Sequence, residues 1–190
     1  TDQNIQVEII DVDPEGPVFE NASSLDTDEN QTDIGSVSAV DPFGSAVTYS
    51  ISGTDAESID LDTSSGLLTF KSAPDYETKT SYSVLITAVG SIANSDQELT
   101  ININNLNDNE PVLAASATFS ADENQTAIAS IVATDADGDT LTYSVTGTEL
   151  TLSTSGVLSF TSAPDYEETT SYTATVSVID GLTSKDQSIT

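Results

Sequence analysis

The feature that most constrains this sequence is that it repeats itself. Asp28-Glu29-Asn30-Gln31-Thr32 returns as Asp122-Glu123-Asn124-Gln125-Thr126, an offset of 94 residues from Glu29 to Glu123. Val47-Thr48-Tyr49-Ser50 returns as Leu141-Thr142-Tyr143-Ser144 at the same offset. Ser72-Ala73-Pro74-Asp75-Tyr76-Glu77 returns as Ser162 to Glu167, where Asp75 and Asp165 are 90 apart. The second copy is therefore shorter between Tyr143 and Phe160. A period near 90 residues with this much identity implies two homologous domains. Asp2-Gln3 to Pro17 aligns with Asp96-Gln97 to Pro111, so residues 1–16 read as the last strand and linker of a preceding repeat. The first full repeat then spans 17–105, a linker 106–111, and the second repeat 112–190. Thr190 aligns with Thr100, partway along the last strand, so the second repeat is expected to be truncated there. An unpaired edge invites strand addition, and the N-terminal strand of another copy is one expected donor.

Within each repeat the hydrophobic period is two rather than 3.6. Tyr82, Val84, Ile86 and Ala88 alternate with more polar positions, and Tyr172, Ala174, Val176 and Val178 copy them. Leu99, Ile101 and Ile103 alternate with Thr100, Asn102 and Asn104. Short Thr/Val/Ile/Tyr runs are punctuated by Gly, Pro, Asp, Ser and Asn. About seven strands in about 90 residues predicts an all-β Greek-key sandwich. Tyr49, Tyr143, Tyr82 and Tyr172 fall on strand positions and are expected in the core.

Composition narrows the chemistry. There are 32 acidic residues against 3 basic ones, a formal charge of −29. Such a surface repels nucleic acid and anionic membranes and attracts hard cations. The 36% hydrophobic content, arranged in alternating runs, argues against disorder. No Cys, Met, Trp or His is present, so the usual zinc, copper and iron sites are out. The commonest general base and thiol nucleophile are missing as well. No stretch is apolar for long enough to suggest a signal peptide or membrane span.

Several motifs together carry a family resemblance. Asn105-Leu106-Asn107-Asp108-Asn109-Glu110-Pro111 resembles the linker between cadherin repeats, with Asn in place of the first Asp. Asp28-Glu29-Asn30 is similar to the Pro-Glu-Asn motif, Asp75-Tyr76-Glu77 to Asp-Arg-Glu, and Asp135-Ala136-Asp137 to Asp-x-Asp. Asp180 stands where cadherins place an acidic residue after strand F. The resemblance covers both repeats and implies two tandem seven-stranded Greek-key sandwiches of the Ig-like/cadherin-like kind. It also implies a calcium site at the junction, formed by Glu29, Asp75, Glu77, Asn107, Asp108, Asn109, Asp135, Asp137 and Asp180. Seven of these nine are carboxylates, and the three calcium ions usual in cadherins nearly neutralise them. Calcium takes six to eight oxygens, which one short motif cannot supply.

The upstream linker departs from this pattern. Pro14 stands at the position of Asp108, Phe43 at that of Asp137 and Gly90 at that of Asp180. That junction is expected to bind fewer ions or none, with Asp13 of little consequence. Glu123, Asp165 and Glu167 form half a site awaiting a downstream linker. Asp139 offers a carbonyl to an ion or makes the turn at Gly138. Asn30 and Asn124 are expected to cap turns by side-chain hydrogen bonds. Asn21, Asn30 and Asn124 fit the N-glycosylation pattern, which is common by chance in such chains. The tyrosine of Asp75-Tyr76-Glu77 is expected to pack beneath the site.

Three classes of function follow. The leading one is a calcium-rigidified extension or adhesion segment of a secreted or cell-surface protein. Gly66-Leu67-Leu68-Thr69-Phe70 running on to Glu77, and again Gly156 to Glu167, is similar to repeats of large bacterial surface adhesins. The second is a recognition module for homophilic or polysaccharide contact, although aromatics are only 6% of the chain and Trp is absent. The third, hydrolysis by paired carboxylates, needs a cleft with an aromatic wall. The acids instead fall at domain ends, so the chain is expected not to be an enzyme.

Overall fold

The computed structural model describes residue 7 and residues 15–114 and 117–190. The expected strand and linker of a preceding repeat, with Asp11, Asp13 and Pro14, lie outside these apart from Val7, Glu15 and Gly16. The chain divides into two compact units, Thr1–Asn105 and Leu106–Thr190, so the run 106–111 clusters with the second.

Unit 1 contains β1 (Val18–Phe19), β2 (Ser24–Asp28), β3 (Asp33–Ser36), β4 (Ala39–Val40), β5 (Thr48–Ser52), β6 (Ile59–Leu61), β7 (Leu67–Phe70), β8 (Ser81–Val89) and β9 (Asn94–Asn104). A four-stranded sheet runs β2-β9-β8-β5 and a three-stranded one β3-β7-β6, with β1 paired to β4. The first two strands join different sheets: β1 pairs antiparallel with β4, while β2 crosses to the other sheet and runs parallel to β9. The crossing segment is pinned from outside: the Asn21 side chain accepts the Ser38 N–H, and Ser38 Oγ donates to Glu20 at 3.1 Å. The second strand breaks after a register shift between Asp33 and Gly35.

Alternation places the core. Val84, Ile86 and Ala88 of β8 and Leu99, Ile101 and Ile103 of β9 are buried, and their neighbours along each strand are not. Ile34, Val37, Tyr49, Ile59, Leu68 and Phe70 complete that core. Each fully buried Leu or Ile is worth about 1.5–3 kcal/mol. Tyr49 is buried as expected, and its hydroxyl accepts the Ala39 N–H at 2.8 Å. Tyr76 and Tyr82 pack against the same core from its margin.

Unit 2 repeats the plan with β10 (Val112–Leu113), β11 (Ala127–Ser130), β12 (Ala133–Thr134), β13 (Thr142–Val145), β14 (Leu150–Leu152), β15 (Val157–Phe160), β16 (Ala174–Ile179) and β17 (Ser184–Ile189). The sheets are β13-β16-β17 and β11-β15-β14, with β10 on β12. Ile131, Leu150, Leu158, Val176, Val178 and Ile189 are buried. One expectation shifts here: Tyr172 lies before β16 rather than inside it. In unit 1 Ser81–Ser83 pair with Thr100–Asn102, whereas the β16–β17 ladder begins at Ala174 with Ile189. Tyr172 still holds its aromatic partner, Phe160, at 5.1 Å between ring centres, as Tyr82 holds Phe70 at 4.8 Å.

Two equivalent glycines are fixed by space. Gly66 and Gly156 have φ of 74° and 82°, and a Cβ there would meet the carbonyl oxygen of Val37 or Ile131 at 2.2 or 2.3 Å. Gly66→Ala or Gly156→Ala is expected to lower stability by about 1–3 kcal/mol from backbone strain alone, with the clash adding to it. Gly138→Ala, where φ is 80° but no atom is near, should cost less. Urea unfolding of the three variants measures the ranking.

Candidate metal centre

Three groups of expected site residues take shape, one in unit 1 and two in unit 2. In unit 1 the turn after β2 carries Glu29. Asn30 adopts a left-handed backbone, φ 63°, and its N–H donates to the Pro74 carbonyl at 3.0 Å. Asn tolerates this region better than most residues, which gives its place here a backbone reason beyond the side-chain capping expected. The Glu29 N–H donates to Asn104 at 3.2 Å, and its carboxylate accepts the Tyr76 N–H at 2.7 Å. These bonds draw the Asp28-Glu29-Asn30 turn onto the Pro74–Glu77 loop. Glu29 is buried, and an oxygen of Glu29 lies within 4.8 Å of one from Glu77. Asp75 accepts Thr78 N–H at 3.1 Å and Thr78 Oγ1 at 3.0 Å, closing its own turn.

The same construction recurs in unit 2. Asn124 has φ 63° and donates to Pro164 at 3.0 Å, and Glu123 accepts the Tyr166 N–H at 3.1 Å. Glu123, Asp165 and Glu167 each place an oxygen within 4.8 Å of the others. All three are exposed. Tyr166 is exposed too, where its counterpart Tyr76 packs on the core.

The third group gathers the linker-side residues of unit 2. Asp137 Oδ2 accepts the N–H groups of Asp108 at 3.0 Å and Asn109 at 2.9 Å. The Asn109 amide donates to Asp137 Oδ1 at 2.8 Å and Asp108 Oδ1 at 2.7 Å. Asp180 Oδ1 accepts Leu182 N–H at 2.7 Å and Thr183 N–H at 2.6 Å, and Thr183 Oγ1 donates to its Oδ2 at 2.6 Å. Asn107 Nδ2 reaches the Asp180 carbonyl at 3.4 Å. Asp135, Asp137 and Asp139 have oxygens mutually within 4.8 Å. Asp139 thus joins the cluster by its carboxylate, where sequence reading gave it a carbonyl or a turn; the alternate spacing Asp135, Asp137, Asp139 was the available signal.

Two carboxyls of this group are displaced in opposite directions. Burial, then the charges of Asp135, Asp137 and Asp180, hold the Asp139 carboxyl above its ordinary 3.8. Asp180 is subject to burial that pushes it upward, but the Thr183, Leu182 and Asn107 hydrogen bonds outweigh it and bring it down to about 2. Among the described residues, two buried oxygens, Asn107 Oδ1 and Asp135 Oδ2, have no hydrogen-bond partner. A buried acceptor left unsatisfied costs about 1–3 kcal/mol. The oxygen-only donor set and these two acceptors suit a hard cation such as calcium.

The equivalent corner of unit 1 is built differently. Asp41, the counterpart of Asp135, accepts Phe43 N–H at 2.8 Å and Ser91 N–H at 3.2 Å. Those backbone bonds hold its carboxyl below 3.8. Gly90, the counterpart of Asp180, packs so closely that a Cβ would meet Asp41 Oδ2 at 2.8 Å and Pro17 Cδ at 2.9 Å. Phe43 is 45% exposed. The corner is closed by its own chain.

Fold and sites together define an all-β chain of the Ig-like/cadherin-like sandwich class, with carboxylate clusters in the loops of each unit. Residues 107–190 match the family model of a bacterial Ig domain. Protocadherin-23 of Homo sapiens is 37% identical over 118 residues, which cover 56% of this chain and 4% of that protein. The structure of protocadherin gammaB7 EC3-6 superposes with a TM-score of 0.81 at 24% identity, over 95% of this chain and 52% of that one. Mouse cadherin-23 EC22-24 gives 0.73 at 22%, over 92% and 62%. The chain therefore spans a small part of the curated relative and about half to two thirds of these structures. At such identity the structural likeness is one of fold, and it is the fold of cadherin repeats. Among the described residues no helix is long and apolar enough to cross a membrane, which concerns helical spans only.

Asp180 sets an acid dependence in metal-free buffer. Its folded value, about 2, lies below the ordinary 3.8, so its stabilisation is full above 3.8 and is lost as pH falls toward 2. Asp180→Asn should show a flatter loss of stability across that window, read by thermal unfolding from pH 5 to 2 in chelator.

Proposed function

We propose that this chain is a calcium-rigidified segment of an extracellular, cell-surface or secreted adhesion protein, of the type found in large bacterial surface proteins. The ions, about three, are held by Asn107, Asp108, Asn109, Asp135, Asp137 and Asp180 together with Glu29, Asp75 and Glu77. The observation that carries this reading is the pair of orphaned buried oxygens, Asn107 Oδ1 and Asp135 Oδ2, beside three crowded carboxylates. Protein donors there are already committed to Asp137 and Asp180, leaving a cation as the natural partner for what remains.

The chain's own cations do not meet this need. Its three basic residues are Lys71, Lys79 and Lys185, and they pair with Asp60, Asp55 and Glu110. Binding calcium removes the repulsion among seven carboxylates and ties the ligand-bearing loops to one another. The apo chain is then mobile about residues 105–107, and the loaded chain stiff. Extracellular calcium is millimolar, which suits sites of modest affinity. The partners on this reading are neighbouring repeats of the same protein.

Calorimetric titration should show calcium binding to the metal-free chain. Asp137→Ala, or Asp108→Ala, is expected to weaken it at least tenfold, about 1.4 kcal/mol. Asp60→Ala, at an exposed position of β6 paired with Lys71, should leave it unchanged. Small-angle scattering should give a narrower, longer distance distribution in calcium than in chelator. Identical curves would remove the stiffening mechanism even if ions bind.

A further inference from the structure

One of the three lysines, Lys79, stands at the end of the loop that carries Asp75 and Glu77. The run from Lys71 to Thr80 is mostly exposed, yet Lys79 is half-buried. Its ammonium donates to Asp55 Oδ1 and lies 4.3 Å from the centre of the Tyr82 ring. A cation over a ring face gains attraction beyond its ion pair. Asp55 is itself anchored. Its other oxygen accepts the Ser83 N–H at 2.8 Å, and its own N–H donates to the Ser83 carbonyl at 3.3 Å. The Lys79 hydrogen bond, helped by Ser83 and opposed by burial, holds the Asp55 carboxyl below its ordinary 3.8.

Lys79 therefore works at both ends of its side chain. Its N–H donates to the Asp75 carbonyl at 2.9 Å, which closes the turn behind the carboxylates. Its ammonium fastens that turn to β8 by way of Asp55. A second fastening lies within the loop, where Glu29 accepts the Tyr76 N–H and Tyr76 packs on the core. Unit 2 builds the same turn without the lysine. Thr169, the counterpart of Lys79, donates its N–H to Asp165 at 3.0 Å. Five residues separate Gly53 from Ile59, but only Thr148 and Glu149 separate Gly147 from Leu150, so nothing corresponds to Asp55. The pair is present whole in one copy and absent whole from the other. Pro74, at the head of the loop, is buried, whereas Pro164 is half-buried.

We infer that Lys79 and Asp55 are positioning residues, a metal-independent brace that holds the loop of Asp75 and Glu77 closed so that these carboxylates meet calcium already arranged. The inference rests on the calcium reading above and adds to it what sets the affinity at these two ligands. Order imposed before binding lowers the ordering cost of binding. Residues one step behind the ligands control metal affinity in this way. The charge of Lys79 taken alone acts with the opposite sign, since a cation near the site repels calcium.

Lys79→Met and Asp55→Asn separate the two effects, because each breaks the pair while they change the net charge in opposite directions. Calorimetric titration of the full chain with calcium should show both variants weakened by about tenfold. The double variant should be no weaker than either single one, because the two residues act as one unit. In chelator, amide hydrogen exchange at Tyr76 and Lys79 should quicken in all three variants, while the centres of β8 and β9 stay protected. Opposite shifts, with Lys79→Met tighter and Asp55→Asn weaker, would overturn the brace in favour of charge alone. Unchanged exchange at Tyr76 and Lys79 would overturn it as well. An unaltered chain that takes up no calcium would sink the earlier reading instead; the exchange in chelator would then uphold the brace if quickened and overturn it if not.

Discussion

Like charge held together by backbone donors is the constraint on which the rest depends. Carboxylates in loops ordinarily turn into water and move apart. Here they are prevented from doing so. Asp137 is fixed by the N–H groups of Asp108 and Asn109, Asp180 by those of Leu182 and Thr183, and Glu29 by that of Tyr76. Each bond is charge-assisted, and each ties a carboxylate oxygen to the chain. Beside Asp137 and Asp180, burial and then the charges of Asp135, Asp137 and Asp180 hold the Asp139 carboxyl above its ordinary value. On the proposed reading, a cation completes these loops by meeting the carboxylate oxygens that the backbone donors leave unused.

The contrast between the two copies gives the argument its control. Asp41 and Asp135 occupy the same position in homologous units. Asp41 is satisfied within its chain by Phe43 and Ser91, and the neighbouring Gly90 leaves room for little else. Asp135 accepts the Asp139 N–H at 3.2 Å, and among the described residues its other oxygen has no partner. The two corners share strands, turn and buried proline, Pro17 or Pro111. They differ in side chains suited to a cation, and the substitutions at Phe43 and Gly90 fall together.

Much of the fold was legible in the sequence because it rests on period-two patterning. Val84 to Ala88 and Leu99 to Ile103 bury as their alternation requires. What alternation could not show was which sheet each of the first two strands joins: Val18–Phe19 pairs with β4 and Ser24–Asp28 with β9. Nor could it show that Tyr172 precedes its strand, because that depends on what pairs opposite it. For the site, linear motifs located the acids, but only geometry revealed which oxygens were spent. Asp180 reads in sequence as a plain ligand, yet both its oxygens already hold the turn at 181–183. Asn107, an uncharged residue in an Asn-rich run, carries one of the two unmet acceptors. The left-handed turn at Asn30 and Asn124, φ 63° in each, gives a backbone reason for the same residue to recur there.

The most direct test is crystallographic: diffraction from crystals grown in saturating calcium, with anomalous signal used to place the ions. The account predicts an ion bound by both Asn107 Oδ1 and Asp135 Oδ2 at about 2.3–2.6 Å. Calcium-saturated crystals in which those two oxygens meet only water or protein donors, with no ion beside them, would contradict it.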